Sequence, residues 1–171
     1  MTSHTLPDVA FIGLGDQGLP MATAIAEAGY PLHAWARRPQ SLNGLDDVDH
    51  VRHEHLAELA AASDIVCLCV STDDDVMNVL TGELLANLRP GSIVVNHGTG
   101  TPQQAILFAE VCAAASIEFL DAPVSGGHAG AVTRTLTTMV GGPEAAATWH
   151  RLCARINRER HCRSRAGYPD R

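Results

Sequence analysis

The sequence predicts an α/β fold built on a doubly wound, mostly parallel sheet, and three observations support that prediction. First, short runs such as residues 9–12 and 65–70 are continuously apolar, as expected of strands that are buried on both faces. Second, amphipathic helical segments follow these runs, so strands alternate with helices along the chain. Third, the first run leads into a glycine-rich turn, Gly13-Leu14-Gly15-Asp16-Gln17-Gly18.

The glycine-rich turn lies at the centre of a strand, helix, strand unit. The first strand covers residues 9–12, a helix over 19–28 follows the turn, and a second strand covers 30–36. In such a unit a G-x-G-x-x-G turn is typical of dinucleotide-binding proteins, because its glycines allow a tight turn, close approach of a pyrophosphate and close packing of the helix on the strand. An anionic phosphate would then lie at the helix N-terminus, where unpaired N–H groups attract it.

Two arginines, Arg37 and Arg38, follow the second strand, at the point where an NAD-binding protein carries an acidic residue. A carboxylate at this point would bind the ribose 2′-hydroxyl of NAD(H), whereas guanidinium groups suit the 2′-phosphate of NADP(H). We therefore favour NADP(H) as the cofactor, with NAD(H) as the alternative. A solvated loop is the competing interpretation of the two arginines.

The rest of the chain continues the alternation of strands and helices. A weak strand at 50–53 precedes a small helix at 56–62, and acidic residues begin the next predicted helix, over 73–88, as the helix dipole favours. The further predicted strands are 65–70, 93–96, 117–120 and 136–140, and the further helices are 103–115 and about 144–156. In the helix over 103–115 the residues expected to face the sheet are Ile106, Leu107, Val111 and Ala114.

A hydroxyl group and two glycines follow the strand predicted over 117–120. Ser125, Gly126 and Gly127 combine a side-chain oxygen with accessible backbone N–H groups, which suits an anionic ligand. An ordinary Pro/Gly loop is the competing interpretation, and the spacing alone does not choose between them.

Length, charge and hydropathy exclude several classes of protein. A chain of 171 residues forms one good core and has no room for a second full domain. Residues 1–150 carry a net charge of −12 and residues 151–171 carry +5, so nucleic acid is not expected as a partner of the main body. No apolar run approaches the roughly 18 residues of a membrane span, and the N-terminus lacks the pattern of a signal peptide. We expect a cytoplasmic location and no membrane partner.

Cysteines and histidines give no sign of a metal site. The five cysteines include no C-x-x-C motif, which indicates buried thiols rather than a disulfide framework or a zinc site. His50, His53 and His55 cluster without a companion carboxylate at a fixed spacing, and this pattern favours an exposed, histidine-rich edge.

Three segments in the same order and at the same separations resemble the N-terminal domain of the β-hydroxyacid dehydrogenase family. They are FIGLGDQGLPMATAIAEAGY, NHGTGTPQQA and DAPVSGGHAGAVTRTLTTMVGGPEA. The family includes 3-hydroxyisobutyrate dehydrogenase, tartronate semialdehyde reductase and, more distantly, 6-phosphogluconate dehydrogenase. The resemblance covers about residues 8–150 and implies a Rossmann domain that binds a nicotinamide cofactor.

The resemblance also implies roles for individual residues. It assigns Arg37 and Arg38 to the adenosine ribose, and Val70 and Ser71 to the adenosine side of the crevice. Thr99 would lie near the nicotinamide, and the substrate carboxylate would bind to Ser125, Gly126 and Gly127. The turn that lines the pyrophosphate comprises Gly13, Leu14, Gly15, Asp16, Gln17 and Gly18. The implied substrate is a small 3-hydroxy acid or its semialdehyde.

The chain departs from the family pattern in its C-terminal part. The family continues into an all-helical domain whose lysine acts as general acid or base, but this sequence contains no lysine, and arginine cannot replace it as a proton shuttle. We therefore expect a Rossmann domain over 1–156 that lacks the helical domain, and a disordered basic tail over 157–171. A truncated or frameshifted product is favoured over a basic tail that binds an acidic partner.

Three functions from different classes remain open at this stage. The first is an NADP-dependent oxidoreductase by descent, a fragment with no catalytic residue of the family and little activity alone. The second is a non-catalytic NADP-binding module or a subunit that depends on a partner. The third is an S-adenosylmethionine methyltransferase, which the two arginines disfavour. The lost domain would expose apolar surface around Trp149, Leu152 and Ile156, so we also expect self-association.

Overall fold

Six parallel strands form the main sheet of the protein. The structure, a computed structural model, describes residues 6–142, 152–153 and 162–164. The strands pair in the order β3-β2-β1-β4-β5-β6, and every pairing in this sheet is parallel. Their bounds are β1 Val9–Ile12, β2 Leu32–Trp35, β3 Val51–Arg52, β4 Ile65–Leu68, β5 Ile93–Asn96 and β6 Glu118–Asp121. The predicted doubly wound α/β fold is thereby confirmed.

Helices cover both faces of this sheet. They are α1 Gly18–Glu27, α2 Leu56–Ala62, α3 Asp73–Val79, α4 Leu85–Asn87 and α5 Pro102–Ala114, with a 3₁₀ helix at Pro39–Leu45. Alternate residues of β1 enter two separate cores. Phe11 packs in the core on the α1 face, whereas Ile12 packs in the core formed with α2, α3 and α5. This two-sided burial explains why β1 and β4 are apolar at every position.

The prediction of which α5 residues face the sheet is wrong. Ala105, Phe108 and Cys112 are buried, whereas Ile106 and Leu107 are each 42% exposed. Val111 is half-buried and Ala114 is exposed. The helix carries apolar residues on more than one face, so its sequence pattern does not distinguish the buried stripe from its neighbour.

The long helix predicted over 73–88 is interrupted. After α3 the chain forms a π-helical turn, Leu80–Leu84, and Gly82 within it leaves the helical region at φ −70° and ψ −117°. The short helix α4 follows. Glycine carries little helix propensity, which accounts for a break at this position.

A second, three-stranded sheet follows the main one. It pairs β7 Val124–Ser125 antiparallel with β8 Thr137–Val140, and β8 parallel with β9 Cys162–Ser164. The helix α6, Gly127–Thr133, connects β7 and β8 and was not predicted. The predicted strand over 136–140 is present, but it belongs to this second sheet.

Three observations concern the C-terminal part of the chain. Strand β9 lies within the predicted disordered tail, while the other residues of that tail lie outside the described ranges. Leu152, expected on an exposed apolar surface, is 1% exposed, and Trp149 and Ile156 are not among the described residues. Cys153 is disulfide-bonded, whereas Cys67, Cys69 and Cys112 are free; such pairing depends on tertiary proximity, which spacing does not reveal.

Within the described ranges, no helix has both the length and the apolar character that a membrane crossing requires. In the same part of the chain, no three His, Cys, Asp or Glu side chains are grouped so that they could hold a metal ion.

Candidate functional site

A cavity of about 320 Å³ opens at the carboxyl ends of β1, β2 and β4. This is the edge of a doubly wound sheet at which ligands bind, and it lies where the strand order changes direction between β1 and β4. Seven residues that the sequence assigned to the cofactor line the cavity: Gly13, Leu14, Gly15, Arg37, Arg38, Val70 and Ser71.

The three glycines of the turn occupy different environments. Gly13 has a φ of +101°, and a Cβ atom there would lie 2.2 Å from the carbonyl oxygen of Cys69. A Cβ atom on Gly18 would lie 1.8 Å from the carbonyl oxygen of Gly13. Around a Cβ atom on Gly15 there is nothing within 4 Å. Gly13 and Gly18 therefore allow the backbone to pack, and Gly15 leaves open space beside the cavity.

The first turn of α1 has neither a side-chain cap nor an acidic residue. In contrast, Thr72 caps α3 by accepting a hydrogen bond from the Asp75 N–H group, and three aspartates lie in that first turn. Unpaired N–H groups and the helix dipole together favour an anion at an uncapped start. At the start of α1 itself, Leu19 N–H donates to the Gly15 carbonyl at 3.0 Å and Pro20 has no N–H group, so Gly18 is the residue of this first turn whose N–H group is left for such an anion.

The two arginines at the end of β2 differ in their partners. Arg37 Nη1 lies 3.2 Å from Asp75 Oδ1, and Asp75 also accepts a hydrogen bond from the Thr72 hydroxyl at 2.9 Å. Within the described part of the chain, no carboxylate pairs with Arg38, which lines the cavity together with Ser41. One free guanidinium, one shared guanidinium and a hydroxyl form a donor set that suits a phosphate group.

The lining of the cavity includes further residues that sequence reasoning missed. They are Ile12, Trp35, Ala36, Ser41, Leu56, Cys69, Asp75, Asn78 and Val79. Ser41 lies three residues after Arg38, and Asp75 lies in the first turn of α3. Their positions in the sequence are close to predicted site residues, but their contacts depend on tertiary packing. Burial raises the pKa of Cys69 to about 11, so this side chain is a neutral thiol at pH 7.

The loop after β5 lies against the loop after β4. A Cβ atom on Gly98 would lie 3.5 Å from the Val70 carbonyl oxygen, and one on Gly100 would lie 2.5 Å from Asp73 Oδ1. Thr99 is exposed and is not part of the cavity lining. The structure therefore brings Thr99 to the same edge of the sheet without bringing it into the cavity.

His97, the first residue of the loop after β5, is buried and hydrogen-bonded in the core. It is 2% exposed, its Nδ1 lies 3.0 Å from the Ala122 carbonyl oxygen, and its ring stacks on Phe11 at a centroid distance of 6.4 Å. Burial lowers the pKa of His97 to about 4, despite its hydrogen bond to Ala122. The imidazole is therefore neutral at pH 7.

Ser125, Gly126 and Gly127 are exposed at the junction of β7 and α6, outside the cavity. Gly126 has a φ of +134° and Gly127 a φ of +60°. Both values favour glycine because a Cβ atom is strained there. The conformation keeps this part of the backbone free of side chains, as close approach by a ligand requires.

Helix α6 is joined to α1 near both of its ends. His128 Nδ1 lies 2.7 Å from the Asp16 carbonyl oxygen, and Arg134 forms an ion pair with Glu27. Arg134 has a φ of +61° in the left-handed region, where glycine is favoured. These contacts bring Asp16 beside the segment that follows Gly127, while Gln17 and Gly18 lie at the start of α1.

Comparison with known proteins gives consistent results. Residues 8–154 match a family model described as the NAD binding domain of 6-phosphogluconate dehydrogenase. An NAD-dependent L-serine dehydrogenase of Pseudomonas aeruginosa is 34% identical over 139 residues, which cover 80% of this chain and 47% of that protein.

Two solved structures resemble the fold closely. The 3-hydroxyisobutyrate dehydrogenase of Mycobacterium tuberculosis, solved with L-serine, superimposes with a TM-score of 0.85 at 27% identity, covering 93% of this chain and 54% of that one. Psf3, solved with NADP⁺ and 2-OPP, gives a TM-score of 0.84 at 25% identity, covering 91% and 56%. The chain thus spans about half the length of each relative.

Proposed function

The chain belongs to the β-hydroxyacid dehydrogenase family, and on this premise we propose that its Rossmann domain binds NADP(H) in the cavity beside the glycine-rich turn. One observation carries the proposal: the turn after β1 and the arginine pair after β2 line the same cavity. A dinucleotide phosphate and a ribose phosphate could therefore be bound together. NAD(H) is the alternative cofactor, since a relative is described as NAD-dependent.

The residues present fit such a cofactor. Gly13, Leu14 and Gly15 line the cavity, and the space around Gly15 is open. Leu19 already donates its N–H group to Gly15 and Pro20 has none, so the N–H groups of Gln17 and Gly18 are the ones that would meet the pyrophosphate. Arg38 and Ser41 would bind the 2′-phosphate, while Arg37 would share its charge between that phosphate and Asp75. Asp16, Gln17 and Gly18 would complete the turn, and Val70 and Ser71 the adenosine side.

The proposed substrate is a small 3-hydroxy acid or the matching semialdehyde. Its carboxylate would bind the Ser125 hydroxyl and the N–H groups of Gly126 and Gly127, and Thr99 would lie near the nicotinamide. The bound cofactor supplies hydride transfer. These 171 residues include no lysine, so the proton donor of the family is not among them, and we propose little turnover by this chain alone.

A second candidate function is a nucleotide-binding module without catalysis, or a subunit whose partner supplies the proton donor. The absence of lysine favours it, and addition of a substrate acid would then leave NADP(H) affinity unchanged. The cytoplasmic location and self-association stay predictions.

Calorimetric titration of the purified chain with NADPH and with NADH tests the cofactor proposal. We expect tighter binding of NADPH. Replacing Arg38 with alanine removes a charge-assisted hydrogen bond of about 1.5–3 kcal/mol, which corresponds to a loss of about ten- to a hundredfold in NADPH affinity. NADH affinity should change less than about twofold, because NADH has no 2′-phosphate.

Arg89→Ala is the matched control. Arg89 pairs with Asp64 at 2.7 Å and is not part of the cavity lining, so its loss removes the same charge elsewhere. If Arg38→Ala and Arg89→Ala weaken NADPH equally, the assigned phosphate site is wrong. If wild-type protein binds neither nucleotide, the proposed function itself is wrong.

A further inference from the structure

The turn that leads into α1 contains one backbone carbonyl, that of Asp16, which lacks a donor four residues later. In a helix the carbonyl of each residue accepts a hydrogen bond from the N–H group four residues later. Gly15 accepts from Leu19 at 3.0 Å, and Gln17 accepts from Met21 at 3.4 Å. The donor for Asp16 would be residue 20, which is proline and has no N–H group.

His128 supplies the missing donor from a different helix. Its Nδ1 lies 2.7 Å from the Asp16 carbonyl oxygen, across 112 positions of sequence. A carbonyl oxygen only accepts, so Nδ1 must carry the proton. The protonated imidazole also carries a proton at Nδ1, and the hydrogen bond is therefore compatible with both charge states.

This hydrogen bond joins the two loops to which ligand groups are assigned above. Asp16 belongs to the pyrophosphate turn, whereas His128 directly follows Gly127. The Asp16 carbonyl and the Gln17 N–H group share one planar, trans peptide unit and point in opposite directions. A donor that holds the carbonyl consequently also holds the direction of the Gln17 N–H group in the turn.

We propose that His128 is a positioning residue that replaces the donor missing at Pro20 and thereby couples the cofactor turn to the substrate loop. The inference rests on the proposed function, because it concerns the same two loops. It adds a residue to which no binding role was assigned. Since Asp16 and His128 are both exposed, water can hydrate the carbonyl when the imidazole is removed, and the effect falls on orientation rather than on folding.

The test compares NADPH affinity of the wild-type chain with that of His128→Ala and His128→Asn. The asparagine amide can donate to the same carbonyl from a position close to that of Nδ1. We expect His128→Ala to lose about fivefold in NADPH affinity, as for one hydrogen bond of about 1 kcal/mol, and His128→Asn to retain wild-type affinity within about twofold. Thermal unfolding of each variant verifies that the fold is kept.

Glu27→Ala provides the matched control. It removes the contact with Arg134 at the far end of α6 and leaves the Asp16 carbonyl untouched, so NADPH affinity should not change. A loss equal to that of His128→Ala would show that general docking of α6 matters, and it would overturn the inference. Failure of asparagine to restore affinity would do the same.

A measurement without cofactor separates the inference from the proposed function. Nitrogen-edited NMR of the free protein should show the His128 proton on Nδ1 at pH 8, whereas a free neutral imidazole favours Nε2. A proton on Nε2 would overturn the inference whatever the nucleotide affinity. If the proton is on Nδ1 but wild-type protein binds no nucleotide, the hydrogen bond is supported, and both the proposed function and the coupling role are refuted.

Discussion

Two connections of the main sheet, β1 to α1 and β5 to α5, resemble each other in sequence but satisfy their backbone groups differently. Each leads from a buried strand into a helix with a proline in its first turn, Pro20 or Pro102. The start of α5 is capped by its own segment, since the Thr101 hydroxyl accepts a hydrogen bond from the Gln104 N–H group at 3.3 Å. The start of α1 has no such cap, and the Asp16 carbonyl just before it accepts a hydrogen bond from His128 of another helix.

On the proposed function, the β5 to α5 connection serves the fold alone, whereas the β1 to α1 connection also binds the cofactor. A helix start whose polar groups are paired by neighbouring residues needs nothing else to be stable. One whose groups are left to distant residues and to solvent is adapted to receive a ligand. The histidines beside the two connections differ in the same way. His97 is hydrogen-bonded to a carbonyl deep in the core, whereas His128 is hydrogen-bonded to a carbonyl at the surface.

The largest effect is expected from adding a methyl group to the α1 start. Gly18→Ala would place a Cβ atom 1.8 Å from the Gly13 carbonyl oxygen, a backbone clash that we expect to reduce the free energy of unfolding by at least about 3 kcal/mol. Gly15→Ala meets nothing within 4 Å and should keep its stability.

Chemical denaturation measures the first effect, and calorimetry measures NADPH binding by the second variant. We expect Gly15→Ala to bind NADPH at least about tenfold more weakly, because its methyl group occupies space beside the pyrophosphate position. Equal stability of the two alanine variants would contradict the assignment of Gly18 to packing and Gly15 to binding.

Lowering the pH should reduce the free energy of unfolding, because His97 in the β5 to α5 connection is buried. The pKa of His97 in the folded state is about 4, below the unfolded value near 6.5. The unfolded state therefore binds more protons between these values, so stability is full above pH 6.5 and decreases as pH falls toward 4. The loss attributable to His97 amounts to about 3 kcal/mol at most.

Denaturation at several pH values, compared with His97→Asn, isolates this contribution. Burial also lowers the pKa of His53, which contributes with the same sign in both proteins. The asparagine variant should show a shallower decrease below pH 6.5. Parallel curves for the two proteins would show that His97 is not the titrating group.

Removal of the α5 cap should affect stability alone. Thr101→Ala deletes the side chain that caps the helix, and we expect a loss of about 1 kcal/mol in the free energy of unfolding. NADPH affinity should remain unchanged. A change of more than about twofold in that affinity would mean that the two connections are not independent.

The smallest effect is expected from an acidic residue at each helix start. Gln17→Asp and Gln103→Asp each place a carboxylate near a helix N-terminus, where it stabilises by about 0.5 kcal/mol. Only Gln17→Asp should also weaken NADPH, because its charge would oppose the pyrophosphate. If both variants bind NADPH equally well, the pyrophosphate does not lie at the α1 start.

Sequence reasoning succeeded where the information is local. The main strands are predictable because burial on both faces leaves a continuous apolar run, as in β1 and β4. The roles of Gly13 and Gly18 in packing follow from a motif with fixed spacing. Their role in binding, like that of the other site residues, is still a prediction.

Sequence reasoning failed where interacting residues are distant in sequence. It also failed where a helix carries apolar residues on two faces and either face could be the buried one. Strand β7 is only two residues long and is defined by its pairing with β8, which no local pattern reveals. The ion pair between Arg37 and Asp75 joins residues 38 positions apart. The wrong face was chosen for α5 because apolar residues occupy both candidate stripes.

The bond between His128 and Asp16 also has a consequence for the order of folding. A contact across 112 positions forms only after its long intervening loop has been closed, and such contacts slow folding. The turn near the N-terminus is synthesised early, but it acquires its last hydrogen bond only when α6 has docked. The β1-α1-β2 unit can therefore assemble before its glycine-rich turn reaches its final geometry.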